Sequence, residues 1–142
     1  MRQSPATRCL AGLAILLCLA PTMAARAQTG ADLAGLWRTE EPGATVRIAR
    51  CGRGWCGSLA STGEGTVDQN NPDPRLRTRR LVGLAIFGAG TPIPNGQEGN
   101  LYNPRDGKTY SGKLVLAGPG LLTVSGCVLG FLCRSQTWTR LR

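Results

Sequence analysis

Residues 50–57 read RCGRGWCG, and two familiar spacings overlap in them. Gly52, Gly54 and Gly57 spell G-x-G-x-x-G, the phosphate-cradling turn of dinucleotide-binding proteins, while Cys51 and Cys56 are candidate metal ligands, redox thiols or a covalent staple. A dinucleotide fingerprint needs a strand before it, a helix that opens at its last glycine and an acidic residue roughly 20 positions on. After Gly57 the chain runs SLASTGEGTVDQNNPDP, interrupted by Gly63, Gly65, Pro72 and Pro74, and no helix traverses that. Asp73 stands at a tolerable distance but is a single acid in a polar loop. The glycines therefore read as bends of a β-hairpin, where a residue without a side chain tolerates positive φ.

The cysteines then decide the compartment. Arg2 and Arg8 precede the apolar run CLAGLAILLCLA at 9–20, and Ala25-Arg26-Ala27 follows as an A-x-A cleavage site, the order of a secretory signal peptide at 1–27. The run is 12 residues, short of the roughly 20 that span a bilayer, and no second run approaches that length, so no membrane span is expected in the mature protein. Cleavage leaves one domain at 28–142 with four cysteines, Cys51, Cys56, Cys127 and Cys133, an even number in an exported chain. Zinc knuckles and redox pairs favour C-x-x-C, whereas these pairs are C-x4-C and C-x5-C. Four cysteines allow three pairings. Because each pair straddles a glycine-bearing turn, joining 51 to 56 and 127 to 133 bolts each hairpin across its own end, at about 2 kcal/mol each.

From Gly35 onward the chain is short β-rich runs separated by turn signals. GLWRTE at 35–40 ends at the Pro42-Gly43 turn, and TVRIARC at 45–51 alternates Val46 and Ile48 against Arg47 and Ala49. A polar loop is expected over 62–79, extended structure over RLVGLAIFG at 80–88, and a second loop over 89–98. NPRDG at 103–107 is a β-turn signature, KTYSGKLVLAG at 108–118 places Tyr110, Gly112, Leu114 and Leu116 on one face, and LLTVSGCVL with RSQTWTRL closes the chain as a hairpin. The expected fold is all-β, a single antiparallel up-and-down meander of about eight short strands rolled into a barrel, since closure removes exposed edges.

Two sets of residues carry resemblances. GLWRT and TWTRL resemble the ends of the calycin barrels, the group containing lipocalins and fatty-acid-binding proteins, and imply that Arg140 stacks on Trp37 to close one end. The ordered segments GLWRT, VRIARCGRGWCGSL, DQNNPDPRLRTRRLVGLAIF, YNPRDGKTYSGKL, VSGC and RSQTWTRL resemble the bacterial domain-of-unknown-function family numbered 2147, small exported proteins with a calycin-like barrel. The chain departs at Leu81, where that family often has proline, so the approach to the next strand is expected to differ. The resemblance implies export and a β-barrel and brings no activity.

Histidine is absent, which removes a histidine-based triad and the commonest metal ligand. Asp68, Asp73, Glu98 and Asp106 fall in loops or beside turns; an enzyme using loop carboxylates is the weakest reading, and turn-building through side-chain to backbone bonds the stronger one. No catalytic residue, metal site or cofactor is expected. The formal charge of +9 falls to +6 once Arg2, Arg8 and Arg26 are removed, with charges scattered outside 75–80, and an exported chain is not expected to bind nucleic acid. Candidate ligand-binding residues are Arg79, Tyr102, Asp106, Lys108 and Tyr110, aromatic surface beside charge, and the loops at 62–79 and 89–98 are expected to gate access to the barrel. Arg75, Arg77 and Arg79 alternate and, in an extended segment, line one face. The leading function is a periplasmic or secreted module that binds a small molecule or envelope component; the alternative is a structural or interaction protein of the envelope, with an unknown protein partner.

Overall fold

The computed structural model describes residues 31–142, and the signal peptide expected at 1–27 lies outside the described residues. Nine strands succeed one another: β1 Gly35–Arg38, β2 Thr45–Cys51, β3 Gly54–Ser61, β4 Ala85–Phe87, β5 Thr91–Ile93, β6 Gly96–Asn103, β7 Lys108–Gly118, β8 Leu121–Val128 and β9 Leu132–Arg140. All pair antiparallel in the order β4-β3-β2-β1-β9-β8-β7-β6-β5. The ring closes where Phe87 of β4 pairs with Leu101 of β6. β5 pairs only with β6, further along the same strand, so β4 and β5 share one position and the barrel has eight.

The RCGRGWCG stretch is a hairpin. Cys51 pairs with Gly54 across Gly52 and Arg53, with Gly52 at φ 60°, and a disulfide joins Cys51 to Cys56. The last glycine of the apparent phosphate motif serves packing: a Cβ on Gly57 would overlap the Phe87 ring, which packs against the space a side chain would fill. The second disulfide joins Cys127 to Cys133, opposed residues of β8 and β9.

Alternation sets the core. Val46 and Ile48 of β2 point in while Arg47 and Ala49 point out, and Leu114 and Leu122 do the same for β7 and β8. With Trp37, Trp55, Leu59, Phe87, Val124 and Trp138 they form a contiguous apolar core, each large side chain contributing about 1.5–3 kcal/mol on burial.

Strict antiparallel order alternates the connections between two ends. The lower end holds the turns at 52–53, 94–95 and 119–120 together with residues 31–34. There Trp37 donates its indole N–H to the Leu33 carbonyl at 2.9 Å, and the Arg140 guanidinium lies 4.5 Å from the Trp37 ring centre. The upper end holds the connections at 39–44, 62–84, 104–107 and 129–131.

Three expectations are corrected. The segment at 89–98 is a hairpin whose turn lies at the lower end, so it does not gate the mouth that the 62–79 loop borders: Pro94 and Asn95 form its two-residue turn, Asn95 adopting φ 58°, and Ile93 pairs with Gly96. Pro92 is accommodated because β5 is paired on one side alone. The run 80–88 is extended at Ala85–Phe87; Leu81–Leu84 is a turn, closed by Leu84 N–H to the Leu81 carbonyl and Gly83 N–H to the Leu59 carbonyl. Leu81 N–H also donates to the Thr66 carbonyl at 2.9 Å, a bond that proline cannot make. Finally, 75–79 is not extended: Asp73 caps a 3-10 turn at Pro74–Leu76, and the three alternating arginines go to three different partners.

Candidate functional site

The upper end carries a half-open cleft of about 270 Å³ between the β1–β2 turn, the 62–70 segment, Leu81 and the β6–β7 turn. Its floor is apolar, from Ala44, Leu59 and Leu81, all buried. Its rim is polar and of mixed sign: Glu41, Glu64, Gln69, Asn70 and Arg105. Arg105 faces Glu41 across the mouth at 3.4 Å, and the Asn70 side-chain amide donates to the Arg105 carbonyl at 2.8 Å, fastening the long loop to the β6–β7 turn.

A second set of bonds holds that loop from within. Asp68 is fully buried. Its Oδ1 accepts from the Tyr102 hydroxyl at 2.6 Å, and its Oδ2 accepts from the Asn71 amide at 2.8 Å and from Arg79 Nε at 2.8 Å and Nη2 at 2.7 Å. The Asn71 amide also donates to the Tyr102 hydroxyl at 3.0 Å, and the Asn71 carbonyl accepts from Arg77 Nε at 2.8 Å. Burial pulls the Asp68 carboxyl upward, but the bonds from Tyr102, Asn71 and Arg79 and the arginine charge outweigh it, holding the group below its ordinary 3.8. Burial, and then the bond to Asp68, raise the Tyr102 hydroxyl above its usual 10.0. Asp68 is thus an ionised acceptor with its lone pairs occupied, which suits it to fixing a loop and not to taking a proton from a substrate.

The candidate residues fall into two groups, and none of them lines the cleft. Arg79 and Tyr102 meet at Asp68, the guanidinium also lying 5.6 Å from the Tyr102 ring centre. Asp106, Lys108 and Tyr110 gather at the β6–β7 turn, Lys108 and Tyr110 continuing at the upper end the face that carries Gly112 and Leu114. There the Tyr110 hydroxyl donates to Asp106 Oδ2, and Lys108 N–H donates to Asp106 Oδ1 at 3.0 Å. That bond to Asp106 raises the Tyr110 hydroxyl above its usual value. Lys108 and Tyr110 border a shallow depression of about 410 Å³ shared with Cys127, Val128 and Leu129. The Asp73 carboxylate bonds to Arg75, and its backbone N–H donates at 2.9 Å to Oδ1 of Asn71, the residue whose amide reaches Asp68. Among the described residues no three acidic or cysteine side chains gather as a metal site, and no helix is long and apolar enough to cross a membrane.

Local sequence pattern does not single out Asn71, Glu41 or Arg105. Asn71 lies three residues from Asp68 within a polar run, and Glu41 meets Arg105 from 64 positions away, so no short window marks either contact.

Among solved structures, the chain is similar to the protein HP1028 from the human pathogen Helicobacter pylori, described as belonging to the lipocalin family. The TM-score is 0.71 at 24% identity, over 79% of this chain and 84% of that one, a likeness of fold. No curated protein matches. Residues 35–140 match the family model described as an uncharacterized protein conserved in bacteria, DUF2147, and the chain, a lipocalin-like barrel, belongs to that family.

Proposed function

We propose that the protein is an exported binding module, a barrel domain over 28–142 released from its signal peptide, that takes a small molecule or an envelope component in the upper-end cleft. The observation that carries this reading is the cleft itself: an apolar floor beneath a rim of convergent polar groups is the usual form of a small-ligand site. Its volume of about 270 Å³ suits a compact ligand, being just under the roughly 300 Å³ where such sites commonly begin. Arg79 and Tyr102 act by holding the cleft wall through Asp68, while Asp106, Lys108 and Tyr110 offer polar and aromatic contact beside the mouth. Two disulfides support an oxidising compartment, hence periplasm or secretion.

Native mass spectrometry of protein gently purified from its own host tests the reading. A discrete added mass is expected, and it should disappear in a Leu59→Trp variant whose indole fills the floor. Only the bare chain mass, with no ligand from a small-molecule panel shifting the thermal midpoint of the wild type, would overturn it.

A further inference from the structure

The β8–β9 hairpin ends in VLGFL at 128–132, and four of its five residues are large, apolar and turned to solvent: Val128 at 47% exposure, Leu129 at 80%, Phe131 at 73% and Leu132 at 59%. Folding gains nothing from leaving them there. The turn is also unfavourable to Leu129, which adopts φ 55° beside Gly130 at 78°, positions where hairpins favour asparagine or glycine. Local strain and an exposed apolar side chain at one residue are what a functional contact leaves behind. The Cys127–Cys133 disulfide sits directly beneath, so the tip is presented in one shape.

Charge surrounds the tip on one side. Lys108 borders the same depression as Leu129. Arg134 lies across from Gly126, against which Tyr110 packs. The neighbouring Asp106 is engaged by the Tyr110 hydroxyl. A protein interface of standard size takes roughly 20 residues a side, far more than four side chains at a hairpin end supply. A short apolar tip with cations behind it instead matches an anionic lipid surface, where apolar groups enter the boundary between head groups and acyl chains and lysine and arginine meet phosphate.

We propose that this tip docks the barrel on anionic membrane surfaces, Leu129, Phe131 and Leu132 entering the lipid boundary and Lys108 and Arg134 contacting head-group phosphates. The alternation of strands puts the tip at the same end as the cleft, so docking turns the cleft mouth toward the bilayer. The docking does not depend on the cleft being occupied.

Flotation with vesicles of phosphatidylglycerol mixed with phosphatidylcholine tests it, using the disulfide-intact protein and vesicles of phosphatidylcholine alone as the comparison. The protein should float with the anionic vesicles, and Leu129→Asn with Phe131→Ser should reduce the bound fraction by about tenfold or more. Asparagine accepts the positive φ, so the hairpin of that variant survives, and an unchanged near-ultraviolet dichroism spectrum verifies the barrel. Lys108→Glu with Arg134→Glu should abolish the preference for anionic over neutral vesicles, and a Phe131→Trp side chain should be quenched by brominated acyl chains. Absence of wild-type flotation, or flotation undiminished in the folded tip variant, overturns the proposal. So does a concentration-dependent dimer that the tip variant dissolves, which would assign the tip to a second copy.

Discussion

Gln97 of β6 bonds to both backbone groups of Trp55 on β3, 42 positions away: its Oε1 accepts the Trp55 N–H at 2.8 Å and its Nε2 donates to the Trp55 carbonyl at 2.8 Å. The same Nε2 lies 3.2 Å from the Gly88 carbonyl. β3 pairs with β4 only at Gly57 and Ser58, so beyond Phe87 the edge of β3 has no strand partner. The fully buried Gln97 amide takes the place of the missing ladder and closes the wall where β4 gives way to β5.

Replacing Gln97 with leucine therefore strips two buried backbone groups of their partners while preserving bulk. A destabilisation of about 2–4 kcal/mol is expected in a urea titration. A loss below about 0.5 kcal/mol would show that water or a strand shift satisfies Trp55, and would contradict the seam.

The Asp68 cluster predicts a graded series. Tyr102→Phe removes one donor and should lower stability by about 1–2 kcal/mol. Asp68→Ala leaves Arg79 facing an empty, partly buried site and should cost about 3–5 kcal/mol. The 62–80 segment depends on this anchor for its order, and it carries Arg75, Arg77, Arg79 and Arg80. Trypsin should accordingly cut there in Asp68→Ala under conditions that leave the wild type whole, with mass spectrometry of the fragments locating the cut.

The same carboxylate sets an acid limit. The folded-state pKa of Asp68 lies below its ordinary value of 3.8, so the unfolded chain binds the proton more readily than the folded one. The stability this supplies is present above the unfolded value and is lost as pH falls through the folded value. Urea midpoints measured from about pH 6 to about pH 2 should fall steeply in the wild type below about pH 4 and less steeply in Asp68→Asn. Parallel curves would remove Asp68 from the account.

How far these features are legible in the sequence depends on their reach along the chain. The disulfides close over separations of 5 and 6 with turn glycines between them, and the core faces repeat every second residue, so short windows contain both. The Asp68–Tyr102 and Gln97–Trp55 bonds span 34 and 42 positions, and nothing in DQNN or GQEG distinguishes a buried anchor from solvated loop. Residues 91–96 mislead for another reason. A strand holding Pro92 and a turn made by Pro94 and Asn95 have the composition of a loop, and only the partner β6 makes them a hairpin.

The two disulfides occupy opposite ends of the barrel, Cys51–Cys56 at the lower and Cys127–Cys133 at the upper, and share no neighbours. Each closes a short loop, so Cys51→Ala with Cys56→Ala and Cys127→Ala with Cys133→Ala should each cost about 2 kcal/mol. Combined, the losses should add to within about 0.5 kcal/mol. Thiol titration of the denatured wild type should find no free thiol among these four before reductant is added.

Arg140 makes more than a charge contact. Its Nη1 donates to the Ala34 carbonyl at 2.7 Å and its Nη2 to the Asp32 carbonyl at 2.8 Å, while the guanidinium plane lies over Trp37, whose own N–H is bound to Leu33. Thus one planar cation ties residues 31–34 to the lower rim and covers the buried indole. Lysine keeps the charge but cannot present two parallel donors and a flat face together. Arg140→Lys should lower stability by about 1–2 kcal/mol, and Trp37→Phe, which removes the Leu33 bond and reduces the stacked face, should lower it further. In the double variant the losses should fall short of additivity, because the stacking term is removed once. Full additivity of the two in a urea titration would show that the guanidinium acts through the carbonyls alone, and would withdraw the stacking contribution.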